Sequence, residues 1–139
     1  MKGLYHRIRQ AWKKPEKKTL KERMIVWRKS DAIVEVEKPL RLDRARALGY
    51  KAKKGIIVVR VRVKRGGHKR PRPTKGRQIK KLTIRKNLSM SYKGIAEQRA
   101  ARKYKNMEVL NSYNLGKDGV YAFFEVILVD PMRPEIQND

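Results

Sequence analysis

Apolar and basic residues alternate at the end of the run Ile56 to Lys64 (IIVVRVRVK), from Val59 onward, the signature of a strand with two unlike faces. Ile57, Val59, Val61 and Val63 fall on one side, and Val58, Arg60, Arg62 and Lys64 on the other. Three successive cations on one face are costly to bury alone, so that face is expected to meet solvent or phosphate. Ahead of this strand, Leu4, Ile8, Ala11 and Trp12 recur at helical spacing and predict a basic amphipathic helix over Gly3 to Lys14. Pro15 interrupts it. A second helix is expected from Leu20 to Lys29, with Thr19 as N-cap and Leu20, Met24, Val26 and Trp27 as packing positions. Trp12 and Trp27 are read as packing residues in preference to base-stacking platforms.

Ala32 to Glu37 alternates and predicts a short strand that ends at Pro39. A short helix follows, beginning at Asp43 or shortly before, with Gly49 as its C-terminal stop. Downstream, Ser89 or Ser91 caps a third helix running from Tyr92 to about Asn106. Met107 to Leu115 and Val120 to Asp130 (VYAFFEVILVD) read as strands joined by a turn at Gly116 to Gly119. The last strand is the most hydrophobic run and the expected centre of the core, with Tyr121, Phe123 and Phe124 packing inside it. Pro131 stops it, and the remainder reads as loop.

This order predicts an α+β fold with a small, mostly antiparallel four-stranded sheet and packed helices. A single domain over residues 1–139 is expected: a basic helical segment at 1–30, an α+β core at 31–131 carrying a basic loop at 65–83, and a tail at 132–139.

Charge changes the picture most. The formal net charge is +25 on 139 residues, with a pI near 10.8. That excess goes beyond what solubility requires and calls for a polyanionic partner. Residues 44–96 contain no Asp or Glu and hold 19 of the 38 Lys and Arg residues. From Lys64 through Lys86 there are eleven, plus His68. The loop is longer than an ordinary connection. Gly66 and Gly67 allow close backbone approach, and Pro71 and Pro73 restrict the loop toward extended geometry. Arginine grips phosphate with paired donors and lysine acts as a point charge. The candidate RNA-binding residues of this strand and loop are Arg60, Arg62, Lys64, Arg65, Gly66, Gly67, His68, Lys69, Arg70, Arg72, Lys75 and Arg77. Such a loop is expected to order on its partner.

Other chemistries find little footing. Cysteine is absent, which removes disulfides, thiolate metal sites and cysteine nucleophiles together. His6 and His68 lack metal-ligand spacing, and no cofactor or metal is expected. A metal-dependent nuclease needs converging carboxylates. Asp118, Glu125 and Asp130 are the acids nearest the last strand, where Glu125 and Asp130 have opposite parity, so turn and surface roles are expected for them. No phosphate-cradling GxxxxGK[ST] loop or nucleophile elbow appears. No apolar run approaches the roughly 20 residues of a membrane span, and no signal-peptide core is visible. A DNA-binding architectural protein shares the phosphate chemistry but lacks a helix-turn-helix or zinc-finger pattern here.

The strings RARALGYKAKKG (Arg44 to Gly55), RVRVKRGGHKRPRPTKG (Arg60 to Gly76), AEQRAARKY (Ala96 to Tyr104), VLNSYNLGKDG (Val109 to Gly119) and YAFFEVILVDP (Tyr121 to Pro131) cover nearly the whole chain in order. Together they resemble the archaeal and eukaryotic large-subunit ribosomal protein fifteen-e, distinct from the bacterial protein of that number. The resemblance implies a non-catalytic structural component of the large ribosomal subunit, cytoplasmic, with large-subunit rRNA and neighbouring ribosomal proteins as partners. It implies that Lys51, Lys53 and Lys54, in the matching GYKAKKG turn, also bind RNA, and it implies no small-molecule substrate and no membrane. Members of that family continue past the Asp-Pro pair into a basic extension, so a sequence ending in PEIQND is expected to be a shortened form. Contacts made by such an extension are not carried over.

Overall fold

The computed structural model describes residues 3–69, 71, 76 and 85–138. In chain order the elements are α1 (Leu4–Lys13), α2 (Lys17–Lys29), β1 (Ile33–Val36), α3 (Leu42–Ala47), β2 (Ile56–Lys64), β3 (His68–Lys69), β4 (Arg85–Lys86), α4 (Tyr92–Lys103), β5 (Glu108–Lys117), β6 (Tyr121–Val129) and α5 (Pro134–Gln137). Four strands form one sheet in the order β1-β2-β6-β5, and every neighbouring pair is antiparallel. The short β3 and β4 form a separate two-stranded ribbon. The expected α+β architecture is present.

The continuous apolar run of β6 follows from its position. It lies between two strands and beneath helices on both faces, so both parities are buried from Ala122 to Leu128. On one face Val59, Val61, Val63, Phe124, Val126 and Leu128 pack against Ala96 and Ala100 of α4. Small alanines let that helix approach the valine-rich surface closely. On the other face Phe123 and Ile127 meet Met24 and Trp27 of α2, Ala45 of α3, and Tyr113 and Leu115 of β5. The Trp27 and Phe123 rings stand 5.3 Å apart and tilted. Each large apolar side chain so buried contributes about 1.5–3 kcal/mol.

This second layer corrects the expectation for the basic face of β2. Arg60 and Arg62 do not face open solvent; each is partly buried on the face that α2 covers. The sequence showed the alternation but not the helix that closes over it.

Other differences are local. Helix α2 begins at Lys17 rather than Leu20. Thr19 therefore sits in its first turn, where its hydroxyl donates to Glu16 Oε2 at 2.6 Å. Val26 points outward and is 63% exposed, whereas Met24 and Trp27 are buried. Helix α1 buries none of its residues fully. It is joined to α3 by Arg46, which stacks over Tyr5 and donates to its hydroxyl, and by an Arg9–Asp43 ion pair at 3.9 Å. Of the two candidate caps for α4, Ser91 serves: its Oγ accepts from Gly94 N at 3.2 Å. Gly49, at φ +97°, ends the short third helix in the left-handed conformation that glycine adopts freely. The segment expected to be loop after Pro131 contains the helical turn α5. No described helix is long and apolar enough to cross a membrane.

Candidate nucleic-acid interface

The basic arm is rooted firmly at the end of β2. Lys64 pairs with Tyr121 across the ladder. Arg65 N then donates to Val120 O at 2.8 Å, and the Arg65 guanidinium donates to the Asp118 carbonyl. Gly66 N donates to Tyr92 Oη at 2.7 Å, which ties the arm to the first turn of α4. Gly66 has φ +99°, available to glycine at little cost. Gly67 is required for a different reason. A Cβ there would lie 2.3 Å from the Lys86 carbonyl oxygen, so only glycine lets β3 and β4 close. His68 then pairs with Lys86, and Lys69 with Arg85. Lys64, His68 and Lys69 are exposed on this base. Arg70, Arg72, Lys75 and Arg77 lie outside the described residues.

The other predicted cations do not join this group. Lys51, Lys53 and Lys54 occupy the turn before β2 and are exposed. Lys53 Nζ donates to the Glu135 carbonyl at 3.3 Å. Nine residues of β2 separate this turn from the arm, about 26 Å at the strand rise. The structure therefore divides the candidate residues between two ends of one strand.

Between those ends, Arg60 and Arg62 turn inward. The Arg60 guanidinium lies 5.3 Å from the Trp27 ring centroid, and Arg62 lies 4.7 Å from that of Tyr121. Arg62 also donates to the Arg28 carbonyl. Burial lowers the Arg60 pKa, an effect partly offset by the nearby Glu125 carboxylate. Cation–π contact and an adjacent anion are what make a partly buried guanidinium tolerable.

Glu125 is itself a correction. Turn and surface roles were expected for it, yet it is only 1% exposed. It stands opposite Arg60 on β2 and Tyr113 on β5. Tyr113 Oη donates to Glu125 Oε2, and Leu40 N donates to both carboxylate oxygens at 3.3 and 3.2 Å. Burial raises the Glu125 pKa, against the opposing pull of Tyr113, Leu40 N–H and Arg60. The Tyr113 phenol is also pushed up, by burial first and then by the carboxylate. This row spans three strands and joins the sheet to the segment before α3. Its acid is enclosed and fully engaged, which suits a structural role. Among the described residues, no group of three or more His, Asp or Glu could hold a metal ion.

A second basic concentration was not foreseen. Along the outer edge of β5, a cleft of about 690 Å³ is lined by Arg9 and Lys13 of α1, Arg41 and Arg44 around α3, and Lys93 of α4. These cations are far apart in sequence, and no local pattern signals their convergence. The Arg41 guanidinium lies 5.0 Å from the Trp12 ring centroid, so Trp12 serves as a packing partner for that cation.

A rooted cationic arm, a second basic turn, inward-held arginines and an enclosed acid make up a cationic surface on a tied-down sheet. The sequence agrees across its length, matching the family described as Ribosomal L15 over residues 3–139. The chain belongs to the ribosomal protein fifteen-e family, whose members are structural components of the large ribosomal subunit in the cytoplasm.

Proposed function

We propose that this protein binds and stabilises folded large-subunit rRNA through the arm that leaves β2, with the Lys51–Lys54 turn as a second contact. The observation that carries this reading is the rooting of the arm. Hydrogen bonds from Arg65 N and Gly66 N fix its origin, and Lys64, His68 and Lys69 stand exposed beside it. The chain then runs into Arg70, Arg72, Lys75 and Arg77 without an acidic residue. Cations presented this way displace condensed counterions from RNA, giving affinity that falls steeply with salt. Phosphate and 2′-hydroxyl contacts suit recognition of RNA by shape. Arg60 and Arg62 act indirectly, by fixing α2 over β2 and keeping the mount rigid.

The test is equilibrium binding to large-subunit rRNA across a salt series. Replacing Lys64, Lys69, Arg70 and Arg72 together by Ala should weaken binding and flatten the log–log salt slope by about 0.7–0.9 for each phosphate no longer neutralised. An unchanged slope would sink the assignment of the arm. Equal affinity for duplex DNA and for rRNA of the same length would favour a general polyanion binder instead.

A further inference from the structure

Three arginines and one acid, drawn from three stretches of the chain, are linked at the root of the arm, and phosphate binding does not account for the way they are held. Asp118 lies in the turn between β5 and β6. Its Oδ1 accepts from Val120 N at 2.7 Å and from Tyr121 N, which fixes the turn. Its Oδ2 is buried without a hydrogen bond and faces Arg28 Nε of α2 at 3.5 Å. Arg62 lies over the Tyr121 ring and donates to the Arg28 carbonyl, one of the last carbonyls of α2, which the helix itself leaves unpaired. A cation at that end also suits the helix dipole. From the arm, the Arg65 guanidinium donates to the Asp118 carbonyl. Arg65 is half-buried, whereas Lys64, His68 and Lys69 near it are exposed. Arginines so linked repel one another unless a counter-charge stands among them, and Asp118 supplies it.

We propose that Arg65 and Asp118 are positioning residues for RNA binding, which aim the arm and do not themselves touch RNA. Arg65 is among the expected RNA contacts, yet its guanidinium is turned back onto the β5–β6 turn. Three hydrogen bonds set the direction in which the arm leaves the sheet: Arg65 N to Val120 O, Gly66 N to Tyr92 Oη, and the Arg65 guanidinium to the Asp118 carbonyl. Of these, the last is the one in which the arm uses a side chain. Gly66, at φ +99°, follows at once, so a swing at Arg65 is carried to every cation beyond it. Through Arg28, Asp118 also ties α2 to the same turn. An arm held in its bound direction gives up less conformational freedom on binding. The proposal rests on the arm reading above and separates the charges that aim the arm from those that meet phosphate.

The full chain is titrated with large-subunit rRNA across a salt series as wild type, Arg65→Met, Asp118→Asn and, for comparison, Lys69→Ala. Arg65→Met keeps the side-chain stem and removes the donors. It should weaken binding by about tenfold at every salt concentration, the effect of one charge-assisted hydrogen bond, and leave the log–log slope unchanged. A phosphate contact would instead flatten the slope by about 0.7–0.9, as Lys69→Ala should. Asp118→Asn keeps the Oδ1 acceptor and removes a negative charge, so net charge alone predicts tighter binding to RNA. The positioning role predicts the opposite, binding weaker by about threefold. Amide exchange at Gly66, Gly67 and His68 should quicken in both variants, while each melts within about 4 °C of wild type. A flattened slope in Arg65→Met overturns the proposal, as does Asp118→Asn binding as tightly as wild type. Loss of the folded state in both variants also overturns it, because the contacts would then support the whole sheet rather than aim the arm. An unchanged slope in Lys69→Ala counts instead against the arm reading itself.

Discussion

Changing Tyr113 to Phe removes one oxygen and retains the ring that packs against β6. Tyr113 is 4% exposed and Glu125 1% exposed, so water cannot readily replace the lost hydroxyl. Glu125 then keeps the Leu40 N–H, at 3.3 and 3.2 Å, together with the Arg41 backbone N–H and the facing Arg60. A hydrogen bond to a charged group contributes about 1.5–3 kcal/mol, so a loss of about 2 kcal/mol is expected near neutral pH. For a domain of this size that corresponds to a melting temperature lower by about 8 °C. The pH dependence sharpens the test. Burial raises the Glu125 pKa above its ordinary value of 4.5. Its protonation therefore supports folding fully below that value, and the support is lost as pH rises through the folded pKa. Tyr113 opposes the rise by stabilising the charged form. The deficit of Tyr113→Phe should thus be largest when Glu125 is ionised and should shrink on acidification. Urea unfolding followed by tryptophan fluorescence, at neutral pH and near pH 4, measures both. Glu125→Gln completes a double-mutant cycle. A loss below about 0.5 kcal/mol at neutral pH, or an equal loss at both pH values, would refute the role given to this hydrogen bond.

Two further predictions use the same unfolding assay or amide exchange. Trp27→Ala should cost about 3–5 kcal/mol through loss of the ring beneath α2, whereas Val26→Ala, one residue earlier and 63% exposed, should stay within about 0.5 kcal/mol of wild type. Gly67→Ala should force β3 from β4, because its Cβ would meet the Lys86 carbonyl at 2.3 Å. Faster amide exchange at His68, Lys69 and Lys86, with little change in global stability, is the expected result; unaltered exchange there would contradict it.

Much of this was legible in the sequence because it is local. The apolar run and alternation of IIVVRVRVK located β2 to both its ends, and Ser91 and Gly49 announced helix boundaries through backbone chemistry that each residue carries itself. What stayed hidden depends on partners distant in the chain. The fate of Arg60 turns on Trp27 and Glu125, which strand alternation does not reveal. Glu125 departs from its expected surface role because Tyr113 and Leu40 satisfy it, and nothing in its neighbourhood along the chain shows that they will. Val26 and Trp27 are adjacent apolar residues, and only the rotation of α2 decides which is buried. The cationic cleft is assembled from α1, α3, α4 and β5, so its charge was visible in the composition but its location was not.

Gradient sedimentation of cell extract after a high-salt wash asks whether the protein is an integral, rRNA-holding part of the large subunit. Salt removes ligands held only by surface phosphate contacts, while a component enclosed among packed RNA helices resists it. The protein should remain with mature large subunits in stoichiometric amount. Recovery only among precursor particles, or at the top of the gradient, would contradict the account.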